Sequence, residues 1–333
     1  MNAPPAVMAV PGVTPALWSR LQEGLARVDD LILRTVDHDD PLVAEASAHL
    51  TEAGGKRLRP LLTLLAAELG SGVNDSVVAA ATGVELTHLA SLYHDDVMDG
   101  ADVRRGVPSA NAKYGSSTAI LIGDLLFGKA SELVAGLGPE AVLIQAQTFV
   151  RLCSGQIRDD RPCPPGADPV VYYLEVLADK TGALIATAAR YGAMFSGGSA
   201  EHIEVMRAYG ERLGVAFQLA DDLIDITSEA SETGKSPGTD LREGVDTLAV
   251  LYAKASTAPA DTRLRELLGQ DLHDDLLHAE ALGLLRRNAA LERARRETVG
   301  IGQRASDLLA PLPGGDAKTA LEGLVTSVVD RVG

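Results

Sequence analysis

Two acidic triplets carry the first chemical signal in this 333-residue chain. Asp95, Asp96 and Asp99 close an Ala- and Leu-rich run, and Asp221, Asp222 and Asp225 repeat the i, i+1, i+4 spacing after Phe217-Gln218-Leu219-Ala220. On a helix the outer carboxylates of each triplet stand one turn apart on one face, with Cβ atoms roughly 5–6 Å apart. Like charges at that spacing repel unless a cation lies between them. One such triplet is commonly a solvated helix face. Two inside apolar sequence are harder to dismiss, because burying six carboxylates without compensation costs many kcal/mol. They are expected to line a polar cavity and share cations. Ligation by carboxylates alone, with no His or Cys in either triplet, suits hard Mg²⁺, which keeps several waters and is completed by phosphate oxygens.

Cations appear where a phosphate-bearing substrate would need them. Gly54-Gly55-Lys56-Arg57-Leu58-Arg59-Pro60 puts three in a tight turn entering a helix, and Arg104-Arg105-Gly106 follows the first triplet. Lys180-Thr181 interrupts a helical run, and Gly234-Lys235-Ser236-Pro237-Gly238-Thr239-Asp240 follows the second triplet. Each alone reads equally well as a helix C-cap or a solvated turn. Together they are ordered basic elements in a chain of net charge −16. His88 precedes Asp95 by two helical turns on about the same face, although a lone His is more often a packed core residue. His94 reads as structural, or as support behind the triplet.

The elements that must position these groups are helices. Capping residues stand before proline at Thr14-Pro15, Asp40-Pro41 and Asp168-Pro169, with Gly138-Pro139 a weaker case. Helical periodicity follows, as in Leu17, Leu21, Leu25, Val28 and Ile32. Alternating β patterns and a G-x-G-x-x-G after a strand are missing. Aromatics are only 4% of residues against 46% hydrophobic, so the core is built from Ala, Leu and Val, a mix that favours helices. The expected architecture is all-α: a single domain over 13–333, of about ten or more helices around a central cavity, behind a flexible N-terminus at 1–12. Residues 228–244 read as a poorly ordered polar loop. The negative charge excludes nucleic acid as a partner. Cys153 and Cys163 lack redox or zinc spacing. No uninterrupted apolar run approaches ~18 residues, so no stable membrane anchor is expected and the default location is cytoplasmic.

In order and spacing, GGKRLRP, HDDVMD with RRG after it, GDLLF (123–127), KTGALI, FQLADDLID and GKSPGTDLREG resemble the trans-polyprenyl diphosphate synthases, the head-to-tail isoprenoid elongating enzymes. The resemblance runs from Gly54 to Leu251. It implies an all-α fold with its cavity between helices, usually a homodimer, and a Mg²⁺-dependent transfer of an allylic prenyl group to isopentenyl diphosphate. Carried onto matching positions, it makes Asp95, Asp99 and Asp221 metal ligands, with Asp96, Asp222 and Asp225 supporting or water-mediated ones. It gives Arg104, Lys180, Gln218 and Lys235 to the allylic diphosphate, and Lys56, Arg59, His88 and Arg105 to isopentenyl diphosphate. Lys180, Thr181 and Gln218 also fall where family members place dipoles near the developing carbocation.

Ala90 and Ser91, five and four residues before Asp95, are expected to project toward the tail side of the cavity. Shorter-chain members of the family carry an aromatic there or an insertion within the acidic motif. The small side chains and uninterrupted DDVMD here imply a product longer than C20, with a C20 geranylgeranyl synthase or a subunit of a heteromeric synthase as alternatives. A class I terpene cyclase shares one DDxxD, but the second intact triplet argues against it. Val245 and Ala249 depart from the Lys and Pro common in the family, and 155–160 lacks the Glu and Gln often seen there.

Overall fold

Each proline-led start becomes a capped helix in this computed structural model, which describes residues 8, 10–228 and 237–332. Thr14 accepts a hydrogen bond from Leu17 N–H at the head of α1 (Pro15–Val36). Asp40 caps α2 (Pro41–Glu52) through Leu42 and Val43 N–H. Short α3 (Leu58–Ala67) leads to α4 (Asp75–Met98), capped by Asn74. Beyond it lie α5 (Ala110–Tyr114), α6 (Ser116–Ala135), α7 (Pro139–Asp159) and α8 (Pro169–Leu177), the last capped by Asp168 through Val170 and Val171 N–H. A π-helical turn (Ala178–Gly182) precedes α9 (Ala183–Phe195) and the long α10 (Ala200–Thr227). Further helices cover Thr239–Arg242, Leu248–Lys254, Thr262–Leu267, Asp275–Leu285, Ala289–Asp307 and Asp316–Val329.

Among the described residues the fold is all-α apart from a hairpin of two-residue strands, β1 (Val103–Arg104) and β2 (Val107–Pro108). Its turn residues, Arg105 and Gly106, have φ of 55° and 78°, the left-handed pair that a two-residue hairpin turn demands. Strands this short give no alternation to detect in sequence.

The chain forms two compact units, each discontinuous in sequence. One comprises Met1–Val150, Leu184–Gly210 and Leu308–Leu324, and the other Arg151–Ala183, Glu211–Asp307 and Val325–Gly333. In the first, α4 packs against α1, α3 and α6. It is buried on nearly all sides, from Val77 to Asp96, as a helix at the centre of a bundle must be. Three fully buried tyrosines supply bulk to an aromatic-poor core, and each hydroxyl donates to a backbone carbonyl of another helix: Tyr93 to Ala46, Tyr191 to Ala141 and Tyr209 to Leu321. Buried hydroxyls need such partners.

Candidate active site

Both acidic triplets occupy the C-terminal ends of long helices, α4 and α10. The helix dipole is negative there, so three carboxylates in the last turns are doubly unfavourable. Protein cations answer part of that cost. In the first unit Asp96 is fully buried and accepts from Arg104 Nε at 2.6 Å. Its second oxygen, Oδ2, is buried without a hydrogen-bond partner. Burial raises its pKa above the ordinary carboxylate value, against the opposing pull of Arg104. Asp95 is half-buried, whereas Asp99 closes the helix, exposed, with its N–H on the Asp95 carbonyl at 2.8 Å.

The expected cations of the first unit gather around α4. Burial, reinforced by the charge of Arg105, pushes the Arg59 guanidinium down to about 10, with Glu85 opposing. Arg59 Nε is buried without a hydrogen-bond partner. His88 is held well below its usual value, by burial first and then by Arg59, Arg105, Arg104 and Arg57. It is therefore a neutral imidazole at pH 7 among guanidiniums. Arg105 Nη1 donates to the Leu50 carbonyl at 2.7 Å and also to that of Gly54. Its guanidinium lies where a Cβ on Gly55 would stand, 2.9 Å from Cζ, and Gly55 has φ of 146°. The double glycine thus makes room for Arg105. Gly55→Ala is expected to displace that guanidinium and to raise KM for isopentenyl diphosphate, the substrate that the family resemblance gives to Arg105, by about tenfold, a change equivalent to ~1.4 kcal/mol, in steady-state kinetics. His94 packs on α6, with Nε2 3.0 Å from the Ile120 carbonyl and 3.3 Å from Asp124, its ring filling the space left open by Gly123. That accounts for the glycine of GDLLF.

In the second unit, Lys180 and Thr181 ride on the π-helical turn, a distortion frequently found at functional positions. Arg151 pins the turn through Asp179 at 2.8 Å and also binds Glu211 at 2.5 Å, while Arg158 reaches Asp179 and Glu175. Gly155 lets α7 approach closely, since a Cβ there would come 2.6 Å from Lys180 N. Lys180 Nζ is paired with Asp159 at 2.7 Å. The stretch at 155–160 that departs from family habit therefore supplies both the close approach and the counter-charge.

Asp222 is buried with both oxygens engaged, accepting from the Tyr173 hydroxyl and, at 3.0 Å, from Gln218 Nε2. Gln218 Oε1 in turn accepts from Thr181 Oγ1 at 3.2 Å. Burial pushes Asp222 up to about 6, opposed by these two donors and abetted by Asp221. Asp221 is half-exposed and meets Arg331 Nη2 at 2.6 Å. Asp225 accepts from Thr239 and Asp240 N–H, both at 3.1 Å, and so fixes the start of the Thr239–Arg242 helix. Lys235 lies outside the described residues, as do the neighbouring Gly234 and Ser236. Sequence reasoning missed Tyr173, Arg331 and Asp159, each brought to its partner from a distant or unremarkable stretch. The aromaticity of Tyr173 in an aromatic-poor chain was the one available signal.

Among the described residues no three His, Cys, Asp or Glu side chains already form a metal cage. The donor set nonetheless fits a hard divalent ion that is completed by water and phosphate, with only carboxylates in the triplets and an unpartnered Asp96 oxygen.

Comparison with known proteins assigns the chain to a class. The Polyprenyl synthetase family model matches residues 40–285. A nonaprenyl diphosphate synthase of Mycobacterium tuberculosis is 45% identical over the whole of both chains. The structure of geranylgeranyl pyrophosphate synthase from Corynebacterium glutamicum complexed with calcium and isoprenyl diphosphate superposes with a TM-score of 0.87 at 41% identity, covering 96% of this chain and 98% of that one. A decaprenyl diphosphate synthase from Rhodobacter capsulatus gives a TM-score of 0.86 at 34% identity over 95% and 98%. The chain belongs to the polyprenyl synthetase family.

Proposed function

We propose that this protein condenses isopentenyl diphosphate with an allylic diphosphate to give an all-trans polyprenyl diphosphate longer than C20, releasing pyrophosphate, with Mg²⁺ as cofactor. The carrying observation is family membership over the whole chain together with both triplets intact. The nonaprenyl and decaprenyl synthases among its relatives support the long product. A C20 product is the second reading, favoured by the likeness to the C. glutamicum geranylgeranyl synthase.

In this reading Asp95, Asp99 and Asp221 hold Mg²⁺ directly, and Asp96, Asp222 and Asp225 support them. The bound ion supplies positive charge to the leaving pyrophosphate. Lys180, Gln218, Arg104 and Lys235 hold the allylic diphosphate while its C–O bond breaks. The Thr181 hydroxyl and the Gln218 amide, oriented by Asp222 and Tyr173, present fixed dipoles to the allylic cation, the preorganised stabilisation that lowers a charge-separation barrier. Lys56, Arg59, Arg105 and neutral His88 hold isopentenyl diphosphate, whose double bond attacks the cation before a proton is lost. The exposed apolar side chains of α6 and α7, including Leu121, Leu143 and Val150, support a homodimer. Pyrophosphate release that requires both substrates and Mg²⁺ is the expected result in a coupled assay. Release from the allylic substrate alone would indicate a cyclase instead. No described helix is long and apolar enough to cross a membrane.

A further inference from the structure

Of the three cations in the Gly54–Pro60 turn, the middle one is built into the protein in a different way. Arg57 adopts a left-handed backbone, with φ of 49° and ψ of 31°, as the residue that heads α3. Non-glycine residues avoid this region unless their surroundings hold them there. Its side chain is 3% exposed, and its nitrogens are distributed over three helices. Nε lies 2.9 Å from Asp29 Oδ1 on α1, Nη1 lies 3.0 Å from Glu85 Oε1 on α4, and Nη2 donates to the Thr51 carbonyl on α2 at 3.2 Å. A guanidinium so engaged cannot turn toward a phosphate without abandoning two carboxylates, one of them, Glu85, fully buried.

Glu85 bears on the anion site directly. It sits one turn before His88 on α4, and its charge acts on both Arg59 and Arg105. Were Glu85 not held by Arg57, its charge would act on those two guanidiniums without that counter-charge and the anion site would lose positive charge.

We propose that Arg57, clamped by Asp29 and Glu85, is a positioning residue: it holds the 54–59 turn in its left-handed conformation and occupies Glu85, so that Arg59 and Arg105 keep their charge for isopentenyl diphosphate. Arg57 itself touches no substrate. This rests on the reading above that these residues take the isopentenyl substrate.

The test is calorimetric titration of the full-length protein with isopentenyl diphosphate alone, which needs no turnover. Arg57→Gln is expected to weaken binding by at least about tenfold, the scale of a lost charge-assisted contact. Arg57→Gln combined with Glu85→Gln is expected to recover most of that loss, because the freed carboxylate is gone. In parallel kinetics KM for the allylic substrate and kcat should stay within about twofold of wild type, a KM-specific signature that general misfolding would not give. Binding by Arg57→Gln equal to wild type overturns the proposal. So does a double variant as weak as the single one, the behaviour of a direct phosphate ligand. Should Arg57→Gln not fold, Glu85→Gln alone decides: binding at wild-type strength or tighter is expected, and about tenfold weaker binding contradicts the charge argument. Wild-type protein that binds isopentenyl diphosphate but elongates no primer would sink the proposed reaction while leaving the clamp standing. Wild-type protein that does not bind it overturns both.

Discussion

Asp95→Ala and Asp221→Ala are each expected to lower kcat/KM by about 10³-fold or more, on the scale of removing a group that stabilises developing charge. Both positions lie toward C-terminal helix ends, where the dipole disfavours a carboxylate. Each therefore costs the free protein something that a nearby cation returns. For Asp221 part of that return comes from Arg331, a half-exposed pair of small net worth. Removing either carboxylate should leave the far-ultraviolet circular dichroism spectrum and the melting temperature near wild type, or raise the latter slightly. Asp222→Ala is a different case. It strips the partner from buried Tyr173 and from Gln218, so turnover and stability should fall together, by about 1–3 kcal/mol for the orphaned groups. Retained turnover in Asp95→Ala or Asp221→Ala would refute the metal assignment.

Ser91→Phe is expected to shorten the product while leaving the protein folded. Ser91 is half-buried on α4, one turn before Asp95, with its hydroxyl on the His88 carbonyl at 2.8 Å. Its neighbour Ala90 is fully enclosed in the core with Leu86, Leu89 and Tyr93. Sequence spacing treats the two positions as equivalent; the structure separates them. A phenyl ring at 91 replaces a side chain that is only half-buried, whereas at 90 it must displace packed side chains at a cost of about 1–3 kcal/mol. Reverse-phase chromatography of the dephosphorylated products should show Ser91→Phe ending several condensations earlier than wild type. Ala90→Phe should shorten the product with a lower melting temperature. An unchanged product from Ser91→Phe would mean that this face of α4 does not meet the growing chain.

Much of the helical framework was legible because its signals are local. Thr14, Asp40 and Asp168 cap the helices they precede, within three residues of their targets. The triplets were legible because a single helix turn sets their spacing. What escaped depends on distant partners. Nothing near Asp222 announces that Tyr173 takes one of its oxygens, nor does Asp221 announce Arg331 at the far end of the chain. Arg57 counted as one more cation of a basic turn, because only tertiary structure brings Asp29 and Glu85 to it. The π-helical turn at 178–182 showed only as an interrupted run, since its extra residue leaves composition unchanged. The 103–108 hairpin was too short for periodicity, although Arg105-Gly106 is a credible turn pair.

Metal-dependent elongation to a long prenyl chain is tested by the product profile from radiolabelled isopentenyl diphosphate. C5, C10, C15 and C20 allylic primers would each be supplied with Mg²⁺ and with chelator. A ladder of all-trans products extending beyond C20 is expected from the accepted primers, lost on chelation. Termination at C20 would contradict the long-chain assignment, and elongation undiminished by chelator, or none from any primer, would contradict the reaction itself.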